Sequence, residues 1–122
     1  MPIDQKVDYI EFPAGDLDAV QAFYEKAFGW SFTDYGPGYR AFTDGKIDGG
    51  FYRTEASPAP LHSSTRLGAA LVVLYADDLE KTKEKVIASG GAIVKDIFSF
   101  PGGRRFHFSD PNENELAVWS AL

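Results

Sequence analysis

Residues 104–119 read RRFHFSDPNENELAVW, and this stretch decides the fold. Polar and apolar side chains alternate along residues 105–109, as they do in a strand with one buried face. Residues 110–114 interrupt the alternation with turn-forming side chains, and a second strand follows over residues 115–119. The stretch therefore predicts a β-hairpin. Its core face is expected to carry Phe106, Phe108, Leu116 and Val118, and its other face Arg105, His107, Ala117 and Trp119.

Two helices are predicted from capping residues and apolar spacing. Asp16 precedes apolar residues at helical spacing, and Gly29 ends them, which is the usual chemistry of a helix start and stop. Asp78, after Asp77, is the corresponding cap of a second helix that runs through Ser89. Strands are predicted over residues 7–12, 30–34, 39–43, 49–53, 67–75 and 92–98, in addition to the hairpin.

The predicted elements repeat one order, strand, helix and three strands, twice. Asp16-Leu17 recurs as Asp78-Leu79, and residues 41–44 (AFTD) align with residues 107–110 (HFSD). Such internal repetition indicates two copies of one βαβββ module. We expect a single domain over residues 1–122, with module one at about 5–54, a linker loop at about 55–67 and module two at about 68–122.

Composition excludes several classes of function. The chain has 122 residues, 44% of them hydrophobic, a net charge of −6 and no cysteine. An acidic chain without a basic cluster is a poor partner for nucleic acid or anionic membranes. Without cysteine there is no disulfide framework and no thiolate metal site. With no secretory leader visible, we expect a soluble cytoplasmic protein that binds a small molecule.

Several of these motifs resemble the vicinal oxygen chelate superfamily, which includes glyoxalase I, bleomycin-resistance proteins, fosfomycin-resistance enzymes and extradiol dioxygenases. The matching residues are 16–17, 23–25 and 28–30 in module one, and 77–79, 90–91 and 108–116 in module two. The residues of these motifs are most similar to those of small bacterial glyoxalase-like proteins of undefined activity. The resemblance implies an α+β fold in which each module curls its mixed sheet into a half-barrel around a cleft, with the helices outside. It also implies a homodimer.

The resemblance implies a divalent metal held in the cleft by His, Glu or Gln. The corresponding positions of this chain are Tyr9, Phe51, Leu71 and Ala117. None of them offers an imidazole or a carboxylate, which such an ion requires. We therefore predict no metal and no cofactor, and a metal-dependent lyase of the glyoxalase I kind is disfavoured.

Strand alternation and the resemblance together give a candidate site. Alternation places Glu11 on the same face as Tyr9, and the resemblance places a substrate-contacting residue at His107. Glu11 and His107 are the candidate catalytic residues. The candidate substrate-binding residues are Tyr9, Tyr39, Phe51, Val73, Arg105 and Trp119.

Each candidate has two interpretations. Glu11 either forms a structural ion pair with Arg105 or acts as a buried general base with a raised pKa. His107 is either a hydrogen-bonded structural residue or a proton-transfer group. Tyr9 and Trp119 either fill the volume of the missing metal or stack on a ligand. His62 is expected to be exposed and inert.

Three functions remain open. The first is a metal-free enzyme of glyoxalase-like fold that acts on a small anionic or aromatic metabolite. The second is a bleomycin-resistance-type module that sequesters a ligand without catalysis. The third is a structural or regulatory domain with a vestigial cleft.

Overall fold

The computed structural model describes residues 2–55 and 62–122, so the middle of the expected linker loop lies outside the described residues. Module one contains β1 (Tyr9–Ala14), α1 (Leu17–Phe28), β2 (Ser31–Asp34), β3 (Tyr39–Thr43) and β4 (Asp48–Arg53). A short 3-10 helix (Thr65–Leu67) precedes module two. Module two contains β5 (Val72–Tyr75), α2 (Leu79–Ala88), β6 (Ala92–Phe100), β7 (Gly103–Ser109) and β8 (Glu115–Ala121).

Both helices begin at the predicted caps. The Asp16 carboxylate accepts a hydrogen bond from the backbone N–H of Ala19 at 3.1 Å, and Asp78 does the same for Lys81 at 3.0 Å. Each bond satisfies one of the N–H groups that a helix start leaves without a partner. Gly29 ends α1 with φ 72°, a left-handed conformation that glycine adopts without steric cost.

Two strand predictions need correction. Residues 67–71 do not extend β5, because Ser64 caps the 3-10 helix and Gly68 ends it in the left-handed region. The first strand does not end before Pro13 but continues through it to Ala14. Proline is tolerated there because β1 lies at the edge of its sheet, where one side of the strand makes no ladder.

The strands form two four-stranded mixed sheets, ordered β1-β4-β3-β2 and β5-β8-β7-β6. The predicted hairpin is β7–β8, in register with Arg105 opposite Trp119 and His107 opposite Ala117. Its predicted core face is confirmed, since the four side chains on that face are fully buried. The α+β class with two βαβββ repeats is likewise confirmed.

Helix α1 contacts the buried faces of both sheets. The ring of Tyr24 lies 5.3 Å from that of Phe51 in β4, and the ring of Phe23 lies 5.9 Å from that of Phe108 in β7. These residues belong to one continuous hydrophobic core. The faces opposite to this core, which we call the concave faces, carry Glu11 in sheet one and Arg105 in sheet two.

The turn of the β7–β8 hairpin fastens module two to module one. Asn112 accepts the backbone N–H of Gly15 at 2.8 Å, and Asn114 donates to the carbonyl of Pro13 at 2.9 Å. The buried Asp110 accepts the hydroxyl of Tyr24 at 2.8 Å. Burial raises the pKa of Asp110 to about 6, although the hydrogen bonds from Tyr24 and the turn oppose the rise.

Neither α1 nor α2, the helices of the described ranges, is long and apolar enough to cross a bilayer.

Candidate functional site

The concave face of sheet one forms a cavity of about 550 Å³, which we name the module-one cup. Its wall includes Tyr9, Tyr35, Tyr39 and Asp48. Tyr39 donates its hydroxyl hydrogen to the Glu11 carboxylate at 2.7 Å, so Tyr9, also 2.7 Å away, donates to Tyr39. Burial, followed by the hydrogen bonds to Tyr9 and Glu11, raises the pKa of Tyr39 well above its ordinary value. The cup therefore presents a fixed chain of two phenols ending on a carboxylate.

Two interpretations of Glu11 need correction. Its side chain is exposed, so it is not a buried acid in a hydrophobic strand. Its partner is Tyr39, and no ion pair within residues 2–55 and 62–122 joins it to Arg105. The physical reason is topological, because Glu11 and Arg105 lie in different sheets, each on the face opposite to the shared core.

The placement of Phe51 in the cleft is also wrong. Phe51 is fully buried in the core, with its ring 5.5 Å from that of Phe12. In the register of sheet one, Gly50 lies beside both Glu11 and Ala41. Successive residues of a strand face opposite sides, so Gly50 lies on the face of Tyr39 and Phe51 lies in the core.

The concave face of sheet two, which we name the module-two face, carries Arg105, His107 and Trp119. The Arg105 guanidinium lies 5.3 Å from the ring centre of Phe98 and 5.8 Å from that of Phe100. Its Nε is buried and has no hydrogen-bond partner among the described residues. The arrangement is a cation held over two aromatic rings.

Trp119 and Val73 complete the module-two face. The indole of Trp119 packs edge-on against Tyr75 at 5.0 Å. Val73 lies beside Ala117 in the register of β5 and β8 and is 40% exposed. The small side chain of Ala117 in turn lies beside His107, and both residues are buried.

His107 is paired with a carboxylate. Its Nδ1 lies 2.7 Å from Oε2 of Glu115, and both side chains are more than nine-tenths buried. Burial works against ionisation of Glu115, but hydrogen bonds from His107 and Thr65 outweigh it and lower the pKa of Glu115. The other ring nitrogen of His107, Nε2, is buried without a hydrogen-bond partner in the described part of the chain.

The structure thus groups the candidates in two sets. Tyr9, Glu11 and Tyr39 meet in the module-one cup, whereas Val73, Arg105, His107 and Trp119 share the module-two face. No hydrogen bond, ion pair or ring contact described for residues 2–55 and 62–122 joins the sets.

The sequence interpretation missed some contributors. Glu115 shares the alternation of Ala117, but its role as the partner of His107 depends on a contact that spacing does not show. Phe98 packs on Arg105 only because a register shift in β6 brings it opposite that residue. His62, expected to be exposed, is half-buried, and its Nδ1 makes no hydrogen bond within the described ranges.

The positions where the resemblance implies a metal do not fit one. Tyr9, Leu71 and Ala117 provide a phenol and two hydrocarbon side chains, and the concave residue of β4 is Gly50. Within the described ranges, no three His, Asp or Glu side chains lie close enough to share an ion. Divalent ions need carboxylate or imidazole donors, so no step of a reaction is assigned to a metal at these positions.

Comparisons with known proteins agree with this architecture. A glyoxylase-like domain-containing protein from Didymella fabae is 26% identical, over 97% of each chain. A glyoxalase/bleomycin resistance protein/dioxygenase family enzyme from Burkholderia phytofirmans PsJN has a similar structure, with a TM-score of 0.77 and 21% identity over 95% of this chain and 100% of that one.

A fosfomycin resistance protein from Listeria monocytogenes, solved with Mn(II) and a dihydroxypropylphosphonic acid, is also similar in structure. Its TM-score is 0.78 at 13% identity, over 98% of this chain and 93% of that one. The family model of the glyoxalase/bleomycin resistance protein/dioxygenase superfamily matches residues 6–118. Two βαβββ modules, their capped helices and this match together show that the chain belongs to the glyoxalase/bleomycin resistance protein/dioxygenase superfamily.

Proposed function

We propose that the chain binds or converts a small anionic aromatic metabolite on the module-two face, without a metal. The observation that carries the proposal is a pair of buried polar atoms, Arg105 Nε and His107 Nε2, without partners among the described residues. A buried polar group left without a hydrogen bond costs about 1–3 kcal/mol. A ligand that supplies both partners would recover that free energy.

The surroundings of these atoms support an anionic, flat ligand. Arg105 brings a permanent positive charge and a planar set of donors suited to a carboxylate or phosphate. Phe98, Phe100 and Trp119 supply aromatic surface beside it. Apolar walls with a few converging polar groups are the usual form of a small-molecule site.

Arg105→Gln tests this proposal. Aromatic carboxylates and aromatic phosphate esters should raise the melting temperature of the unmodified protein, and Arg105→Gln should weaken their binding at least about tenfold, because a charge-assisted hydrogen bond contributes roughly 1.5–3 kcal/mol. Arg104→Gln is the matched control, since Arg104 pairs with Glu80 on the other face of β7. Equal affinity in Arg105→Gln and the unmodified protein would overturn the proposal.

A second candidate function is sequestration of an organic cation in the module-one cup. The observation that favours it is the lining of the cup, where tyrosines and Asp48 occur and no Lys or Arg is among the described lining residues. Tyrosine rings and carboxylates attract cations. Calorimetry with phenyltrimethylammonium should show binding that Tyr39→Ala abolishes. Tyr75→Ala, which changes an exposed tyrosine of the other sheet, is the control and should leave binding in place. No heat of binding would exclude this candidate.

The homodimer belongs to the same proposal. Within one chain no contact among the described residues joins Glu11 to His107, so a second copy would complete a cleft that contains both. The charges support such a pairing, because the module-one cup carries Glu11 and Asp48 whereas the module-two face carries Arg105 and Lys95. Sedimentation equilibrium at micromolar concentration should give twice the mass of one chain, and a monomer would restrict the site to one face.

A further inference from the structure

Glu115 bridges His107 and the segment that precedes module two. Its Oε1 accepts two hydrogen bonds from Thr65, one from the backbone N–H at 2.9 Å and one from the hydroxyl at 2.8 Å. Its Oε2 lies 2.7 Å from Nδ1 of His107. Both carboxylate oxygens are therefore engaged, and the side chain cannot turn without breaking at least one of these contacts.

This arrangement fixes where the imidazole carries its hydrogen. The hydrogen bonds from His107 and Thr65 keep Glu115 ionised. An ionised carboxylate only accepts hydrogen bonds. His107 must therefore donate from Nδ1. In the neutral ring the other nitrogen, Nε2, is then an acceptor. This acceptor is buried, and no hydrogen-bond donor within the described residues reaches it.

We propose that Glu115 is a positioning residue for His107, and that Nε2 of His107 accepts a hydrogen bond from an O–H or N–H group of the ligand. The inference rests on the proposed function, and it narrows the ligand to an aromatic anion with a hydrogen-bond donor. Arg105 and His107 are two residues apart on one strand face, which separates their Cα atoms by about 7 Å. The anionic group and the donor should therefore lie at opposite ends of a ring, as in 4-hydroxybenzoate.

The same geometry prepares a proton transfer. When the donor is acidic, its proton passes to Nε2 and the bonding electron pair stays on the ligand oxygen or nitrogen. The imidazolium that forms carries its positive charge between the Glu115 carboxylate and the anion that the donor group becomes. No oxidant, reductant or metal is needed to balance this step.

The tautomer can be read without any ligand. The chain contains two histidines, His62 and His107, so long-range ¹H–¹⁵N spectra of the uniformly labelled protein show two imidazole patterns. At pH 8, where an ordinary histidine is neutral, His107 should show a protonated Nδ1 and an unprotonated Nε2. A proton on Nε2 in the unmodified protein would overturn the inference, whatever the proposed function does.

Glu115→Gln should reverse this tautomer. The two Thr65 donors hold the amide oxygen of the glutamine, so its NH₂ group must face Nδ1 and donate to it. The imidazole proton then moves to Nε2. Glu113→Gln, an exposed carboxylate in the adjacent turn, is the matched control and should leave the spectrum unchanged. A residue that only stabilised the fold would lower the melting temperature without exchanging the two nitrogen signals.

The ligand class has its own test. The unmodified protein should bind 4-hydroxybenzoate about tenfold more tightly than benzoate or 4-methoxybenzoate, since one hydrogen bond to a buried group corresponds to roughly a factor of ten. The difference should vanish in Glu115→Gln, because Nε2 of His107 is a donor in that variant. Equal binding of the three compounds would refute this ligand class, whereas failure of all three to bind would count against the proposed function and leave the tautomer result to stand by itself.

Discussion

Two adjacent glycines of β4 show how the face of a strand decides what a residue tolerates. A Cβ at Gly49 would lie 2.3 Å from the carbonyl oxygen of Ile10 and 2.4 Å from the buried ring of Phe42. A Cβ at Gly50 would instead lie 1.9 Å from the Tyr39 hydroxyl. Backbone and core atoms cannot move aside, whereas a tyrosine at the rim of an open cup can.

We therefore expect Gly49→Ala to lower the free energy of unfolding by about 2–3 kcal/mol, as overpacking of a core does. Gly50→Ala should cost less than about 1 kcal/mol, but should displace Tyr39 and break its contact with Glu11. Urea denaturation gives the two free energies, and a tyrosine titration followed in the ultraviolet should show the pKa of Tyr39 moving back toward its ordinary value in Gly50→Ala. Similar free energies for the two variants would contradict the assignment of faces.

Among the elements, the turn between β7 and β8 does more than reverse the chain. Asn114 is fully buried, donates to Pro13 in module one and to Asp110, and accepts the backbone N–H of Ser63 at 2.8 Å. One side chain thus holds module one, the turn and the segment before module two. Glu113, its neighbour, is exposed and has φ 65°.

Asn114→Ala should destabilise the protein by about 2–4 kcal/mol, because it removes the hydrogen bonds that this fully buried amide makes with Pro13, Asp110 and Ser63. Glu113→Asn is the control: asparagine enters the left-handed region readily, so its effect should stay within about 0.5 kcal/mol. Denaturant midpoints for both variants check this. A loss below 1 kcal/mol in Asn114→Ala would mean that the turn does not hold the modules together.

For the whole molecule, Asp110 couples the packing of the two modules to pH. Its pKa is raised from 3.8 to about 6 by burial. Between these pH values the folded protein holds a proton on Asp110 that the unfolded chain has released. Such a group stabilises the fold fully below pH 3.8, and this contribution is lost as the pH rises through 6. The shift corresponds to about 3 kcal/mol.

Asp110→Asn, which mimics the protonated acid, should remove this dependence. Subtracting the variant's unfolding free energy from that of the unmodified protein should give a difference that falls by about 2.4 kcal/mol between pH 4 and pH 7. The lowered pKa values of Glu80 and Asp96 act on both proteins and cancel in the subtraction. A difference that is flat over this range would show that Asp110 is already ionised at pH 4 in the folded state.

The elements and the buried face of the hairpin can be predicted from the amino-acid sequence alone. Local chemistry is enough for these features: Asp16 and Asp78 cap the helices through their own first turns, and alternation along β7 and β8 assigns Phe106 and Leu116 to the core. The repeat of these signals determined the two modules and the family resemblance. No contact beyond a few residues is needed for any of them.

The division of the site into two sets of residues follows from contacts between distant parts of the chain. A one-residue shift in the register of β4 would exchange the faces of Gly50 and Phe51. Alternation in a short glycine-rich strand does not specify that register. Glu115 meets Thr65 and His107 through contacts that the fold alone brings together. Glu11 and Arg105 are separated because they lie in different sheets, each on the face opposite to the core that the two sheets share.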